Sequence, residues 1–118
     1  MPSPFYKWLT REDYFHRAIT DYVSLQYPKV LMWHTPNEGK RSPFERFKAS
    51  FLGMKGGVSD LCLIYDGKFL AIELKVDKNK PTTKQAAFLE AVKGHKFDAI
   101  WSADHDFIIN YIDKWVAK

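Results

Sequence analysis

The dipeptide Asp66-Gly67 sits between two apolar runs, Leu61-Cys62-Leu63-Ile64-Tyr65 and Lys68-Phe69-Leu70-Ala71-Ile72. Asp-Gly is the pair that best tolerates the two positive φ angles of a two-residue type I′ turn, so the segment predicts a tight β-hairpin. A two-residue turn also fixes the register. Tyr65 must face Lys68, and counting outward places Asp60 opposite Glu73, with Cβ atoms roughly 4.5–5.5 Å apart. Lys75 shares the face of Glu73, because side chains along a strand alternate with period two. Two carboxylates set against each other destabilise a sheet unless a cation lies between them or one of them is protonated. The hairpin therefore asks for a metal ion at Asp60 and Glu73.

Hard divalent cations take oxygen ligands, and Mg²⁺ keeps several waters while using one or two protein carboxylates. Asp60 and Glu73 supply these, and the main-chain carbonyl of Leu74 is a third oxygen at the same sheet edge. A cation there lowers the pKa of a water and stabilises charge on a phosphate, while Lys75 can orient the water and offset that charge. This donor set points to phosphodiester hydrolysis with Mg²⁺ or Mn²⁺. The charge pattern agrees: residues 38–57 carry five Lys/Arg against two acids and 75–96 carry six Lys against two, whereas 97–118 carry four acids against two Lys. Positive charge thus collects on both sides of the carboxylates, as a polyanionic substrate requires. Lys40 and Arg41, in a Gly/Pro loop, and Lys78 and Lys80, just beyond Lys75, are the candidate phosphate contacts.

Around the hairpin the periodicity predicts the order α-β-α-β-β-α-β-α. Thr10 with Asp13 reads as a capping box, opening a helix over about 10–27 that Pro28 ends. Residues 30–34 read as a strand and 35–43 as a polar loop. A helix over 44–54 puts Phe44, Phe47, Phe51 and Leu52 on one side, and Gly56-Gly57 stops it. Thr82 or Thr83 caps a helix with the stripe Gln85, Phe88, Leu89, Val92, closed by Gly94. A strand over 97–101 follows, and Asp104 caps a last helix whose Ile108, Tyr111, Ile112 and Trp115 face inward. A helix between the last two strands implies a crossover and a mixed sheet of about four strands flanked by helices.

The 118 residues suit a single domain, with 46% hydrophobic and 16% aromatic residues to fill a core. No apolar run approaches the roughly 18–20 residues that span a bilayer, and the first residues lack a basic segment followed by an apolar stretch, so a soluble, intracellular protein without membrane contact is expected. The single cysteine, Cys62, falls mid-strand and reads as a packed thiol. The four histidines have no HxxxH or CxxC companion, which argues against zinc. His34 borders the polar loop and either approaches a substrate or is an ordinary strand-end residue. Two further residues stay open. Glu12 lies three and seven residues before Phe15 and Ile19, on the buried face of its helix, where it serves either the site or merely the helix dipole. Gln85 heads an apolar stripe and serves either the site or the stripe's end.

Gly57-Val58-Ser59-Asp60, followed after a hairpin by Ile72-Glu73-Leu74-Lys75, resembles the PD-(D/E)xK nuclease signature. The wider pattern comprises Glu12 before Arg17-Ala18-Ile19, the stretch His34-Thr35-Pro36-Asn37-Glu38-Gly39-Lys40-Arg41, then Lys55-Gly56-Gly57-Val58-Ser59-Asp60, and Lys84-Gln85-Ala86-Ala87-Phe88. Together these resemble a stand-alone VRR-NUC domain of the kind found in bacteriophages, over roughly residues 10–103. The resemblance implies a restriction-endonuclease-like α/β core, a divalent metal, and Glu12, Asp60, Glu73, Lys75 and Gln85 as site residues, with Glu12 a further metal ligand and Lys84 a further DNA contact. It also implies a homodimer that cuts four-way DNA junctions, located in the host cytoplasm if the chain is phage-encoded. Two active sites for a symmetric junction are what a two-fold dimer provides. Ser59 departs from the pattern, standing where Pro commonly precedes the metal-binding Asp. The alternatives are a nuclease of the same superfamily acting on flaps, nicks or ends, and a catalytically idle DNA-binding module.

Overall fold

The computed structural model describes residues 3–36 and 41–118. The chain runs through a short 3-10 helix (Pro4–Trp8), α1 (Arg11–Gln26), β1 (Leu31–His34), α2 (Pro43–Phe51), β2 (Leu61–Tyr65), β3 (Lys68–Leu74), α3 (Thr83–Gly94), β4 (Asp98–Ser102) and α4 (His105–Ala117). Apart from the N-terminal 3-10 helix, which carries no periodic signal, this is the order the sequence predicts. The four strands form one sheet in the order β1-β2-β3-β4, antiparallel except for the parallel β3/β4 pair that α3 bridges. Asp66 and Gly67 take φ values of 50° and 74°, the type I′ signature, and Tyr65 pairs with Lys68.

Helix ends follow local chemistry. The hydroxyls of Thr10, Ser42 and Thr82 accept from the backbone N–H of Asp13, Glu45 and Gln85, whose side chains return to the cap N–H in three reciprocal capping boxes. Asp104 caps α4 by accepting from the N–H of Phe107.

The sheet's two faces are covered unequally. On one, Leu61, Leu63, Leu70, Ile72 and Leu74 pack against Ile19 and Val23 of α1 and Ile108, Ile112 and Trp115 of α4, forming the main core. On the other, Ala71 and Ala99 leave room for α3 to approach, and Leu89 closes over them with Phe69, Phe88 and Val92. Helix α2 joins neither cluster. It ends at Leu52, with Gly53 at φ +87°, before the expected Gly56-Gly57, and its Phe44, Phe47, Phe51 and Leu52 stand exposed. Among the described residues no helix is long and apolar enough to cross a membrane.

Candidate active site

The site lies where β2 begins and β3 ends. The hairpin ladder closes at Leu61↔Ile72, so Asp60 sits one residue beyond the paired register rather than inside it. Two bonds hold it there: its main-chain carbonyl accepts from the Thr35 N–H (2.9 Å), extending the β1 edge, and its Oδ2 accepts from the Leu74 N–H (2.8 Å). An extended residue directs its N–H and C=O to the same neighbour, so the Leu74 carbonyl also points to the Asp60 side. The Lys75 N–H instead donates to Ser102 on β4.

Glu73 is 2% exposed, and its Oε1 has no hydrogen-bond partner. Its Oε2 lies 3.4 Å from the Lys75 Nζ. Burial, reinforced by the neighbouring Asp60 and only partly opposed by Lys75, pushes its carboxyl up to about 7. A fully buried carboxylate oxygen with no donor is rare in folded proteins, and here it lies beside a second carboxylate. That is the arrangement a divalent cation satisfies. Among the described residues no three His, Cys, Asp or Glu side chains cluster closely enough to hold a metal by themselves. Two carboxylates and a carbonyl do suit a cation that completes its shell with water and phosphate.

Asp60 divides two cavities. One, of about 170 Å³, is basic: Lys55 and Lys84 line it with Gly56, Gly57 and Gln85. Gly57 (φ +82°) lies so close to the first turn of α3 that a Cβ would come within 2.4 Å of the Lys84 carbonyl, so only glycine lets this loop seat there. The other cavity, of about 290 Å³, brings Glu12, Asp13, His16 and His34 to Asp60. The two imidazoles meet edge to face, with centroids 5.1 Å apart. Burial, and then His34, lowers the pKa of His16 against the pull of Asp60, Asp13 and Glu12.

The expected site residues therefore converge unevenly. Asp60, Glu73, Lys75 and the Leu74 carbonyl form one cluster. Glu12 lies on the expected stripe of α1 but at its exposed end, so the expectation of a buried position fails; it lines a cavity with Asp60. Gln85 lines the basic cavity, yet its Oε1 is committed to the Thr82 N–H (2.9 Å), leaving the amide NH₂ as the group that can face a ligand. Lys84 stands beside it, whereas Lys78 and Lys80 are exposed on the segment after β3. Arg41 contacts the Met54 Sδ (3.3 Å) beside α2, and Lys40 lies outside the described residues together with Asn37, Glu38 and Gly39. Sequence reasoning missed His16, which reaches Asp60 only through the tertiary fold, whereas Lys55 stands in the stretch Lys55-Gly56-Gly57-Val58-Ser59-Asp60 already singled out in the sequence and lines the basic cavity. Ser59 is 1% exposed, and its hydroxyl donates to the Leu61 carbonyl (3.1 Å), a tether for the entry into β2 where a proline ring would otherwise restrict the backbone. Cys62 is buried, with burial raising its thiol pKa, as expected of a packed residue.

No protein-family model and no curated protein matches the sequence. Among solved structures the chain is similar to a VRR_NUC domain protein, with a TM-score of 0.74 and 22% identity over 92% of this chain and 90% of that one. The chain has that fold: a mixed four-stranded sheet with four α-helices in the restriction-endonuclease-like α/β arrangement.

Proposed function

We propose that this chain is a metal-dependent, structure-selective DNA endonuclease that hydrolyses phosphodiester bonds, acting on branched DNA as a homodimer in the manner of a Holliday-junction resolvase. The observation that carries the reading is the orphaned, buried Oε1 of Glu73 beside Asp60 and Lys75, in a VRR-NUC fold. Asp60, Glu73 and the Leu74 carbonyl would hold Mg²⁺ or Mn²⁺, with Glu12, which lines a cavity with Asp60, as a further ligand. A cation held there would lower the pKa of water and offset the charge that builds on the phosphate oxygens.

The chain's own residues do the rest. Lys75, held at Glu73, keeps an ammonium next to the reacting phosphate and orients the attacking water. The Leu74 N–H fixes Asp60 in one rotamer. Lys84 and the Gln85 amide bind the phosphate backbone on the basic side, with Arg41, Lys78 and Lys80 extending the rim; Lys40, outside the described residues, is proposed as a further phosphate contact. A binding module would gain nothing from keeping paired acids that repel phosphate, and this weighs against the idle alternative. An intracellular setting, the host cytoplasm for a phage-encoded chain, suits the substrate.

The test is a panel of labelled four-way junction, flap, nicked duplex, linear duplex and single strand, each with Mg²⁺, Mn²⁺ or EDTA. Symmetric incision of the junction, abolished by EDTA, is expected. Preferential cutting of flaps, nicks or ends would reassign the substrate within the same chemistry, and binding without cleavage under every metal condition would overturn the enzyme reading.

A further inference from the structure

Helix α2 is amphipathic and well capped, yet it buries none of its residues. Phe44, Phe47, Phe51 and Leu52 are each 64–78% exposed, and Met54, just beyond, is half-exposed. Phe47 and Phe51 stack on each other, with centroids 6.1 Å apart and planes at 28°, rather than on the core. The described chain is correspondingly extended for its size. Its radius of gyration is 15.4 Å, where a compact chain of this length has roughly 13–14 Å.

Large apolar side chains offer roughly 150–250 Å² each, so at these exposures the five present roughly 600 Å² of contiguous apolar surface, at the upper limit for a soluble monomer. Two copies joined through this face would bury roughly 1,200 Å² in all, the lower bound of a stable specific interface. We infer that α2 is the surface through which a second copy of this chain docks, the two helices pairing antiparallel about a two-fold axis so that Phe44 of each copy meets Phe51 of the other. The identification of the surface rests on the dimeric nuclease reading, but the packing argument does not use DNA.

Charge beside the face is mixed rather than purely basic, Glu45 standing with Arg41 and Lys48 in the hollow that Leu52 and Met54 line, which suits a protein occupant. Phe44, Phe47 and Phe51 share their side of the helix with Lys48 alone among the cations of α2, and Arg46 falls on the opposite side. A nucleic-acid surface would instead gather cations without acids around its aromatics. The pairing also has a consequence for the site. Met54 contacts Arg41 and lines the basic cavity with Lys55 and Asp60, so α2 leads directly into the site, and antiparallel pairing sets one site beyond each end of the helix pair. Two sites facing opposite strands about one axis is the geometry for paired incision of a symmetric junction.

The test is light scattering on the full chain and on a Phe47→Glu/Phe51→Glu variant, with far-UV circular dichroism to verify folding. The wild type is expected at twice 13.8 kDa, and the variant, folded, at the monomer mass, with self-association weakened at least 100-fold. On a four-way junction the variant should give unpaired single nicks where the wild type gives paired ones. A monomeric wild type at tens of micromolar, or a variant that stays dimeric, would overturn the proposal. So would a monomeric wild type whose variant loses only junction binding, since that would assign the face to DNA. A wild type that dimerises through α2 but cuts no DNA would uphold the interface and sink the nuclease reading instead.

Discussion

Replacing Glu73 with Gln should stabilise the metal-free protein at alkaline pH while abolishing its chemistry. In the folded chain burial and Asp60 raise the Glu73 carboxyl from an ordinary 4.5 to about 7. A raised carboxyl favours the protonated form on folding, so its unfavourable contribution is absent below about pH 4.5. That contribution grows as pH rises through about 7 and is complete above it. A shift of this size corresponds to about 3 kcal/mol at pH 8. The Glu73→Gln substitution removes the charge but deprives Lys75, whose side chain is 15% exposed, of its partner. The net gain should therefore fall to about 1–3 kcal/mol, or a melting point higher by roughly 5–10 °C. The assay is thermal unfolding of both proteins in EDTA between pH 4 and pH 9. The two curves should coincide near pH 4, separate progressively between about pH 4.5 and pH 7, and run parallel above that, with the variant higher. Added Mn²⁺ should then raise the wild type at pH 8 and leave the variant unmoved, because the cation compensates the charge that the substitution removes. A variant less stable than wild type at pH 8, or a gap that does not change with pH, would show that the Glu73 carboxylate carries no such penalty.

Other consequences are more local. Gly57→Ala should cost about 1–3 kcal/mol in denaturant unfolding, because its φ of +82° and a Cβ 2.4 Å from the Lys84 carbonyl leave no room for a methyl group; a neutral result would mean the loop does not seat on α3. Lys55→Ala with Lys84→Ala should weaken DNA binding evenly across sequences and reduce the slope of log affinity against log salt by about 2. An unchanged slope in a fluorescence-anisotropy titration would remove both from the interface. The Lys68 Nζ donates to the carbonyls of Trp115 (2.7 Å), Val116 (3.1 Å) and Lys118 (3.0 Å), so Lys68→Met should loosen the end of α4 and cost about 1–3 kcal/mol, read as a lower urea midpoint with an unchanged m-value.

What was legible in the sequence was what local rules govern. Asp66-Gly67 dictates its own turn, the turn dictates the register, and the register carries Glu73 and Lys75 to the sheet edge beside Asp60. The capping pair Thr10/Asp13 acts over three residues and can be read in the same way; Thr82/Gln85 obeys the same rule, but in sequence Thr82 and Thr83 are both open as the cap and Gln85 reads as part of the apolar stripe. Asp60 itself shows the limit of counting: the ladder stops at Leu61, and its side chain bonds the Leu74 N–H instead of continuing the paired register. His16 and His34 are eighteen positions apart and meet only because α1 passes the end of β1, a contact no spacing rule encodes. The stripe Phe44, Phe47, Phe51 looks the same in sequence whether it faces a core or a partner. Only the position of α2 outside both hydrophobic clusters separates the two.

Hydrolysis of a phosphodiester bond by Asp60, Glu73 and Lys75 with a divalent cation can be measured outright. The quantity is the single-turnover rate of cleavage of a labelled branched DNA in Mg²⁺ or Mn²⁺ by the wild type, Asp60→Asn and Lys75→Ala, each verified to be folded and to bind the DNA. Wild-type cleavage that EDTA abolishes is expected, with a loss of at least about 10²-fold in each variant while binding is retained. Cleavage that persists in EDTA, or that proceeds at wild-type rates in both variants, would contradict this assignment of the site.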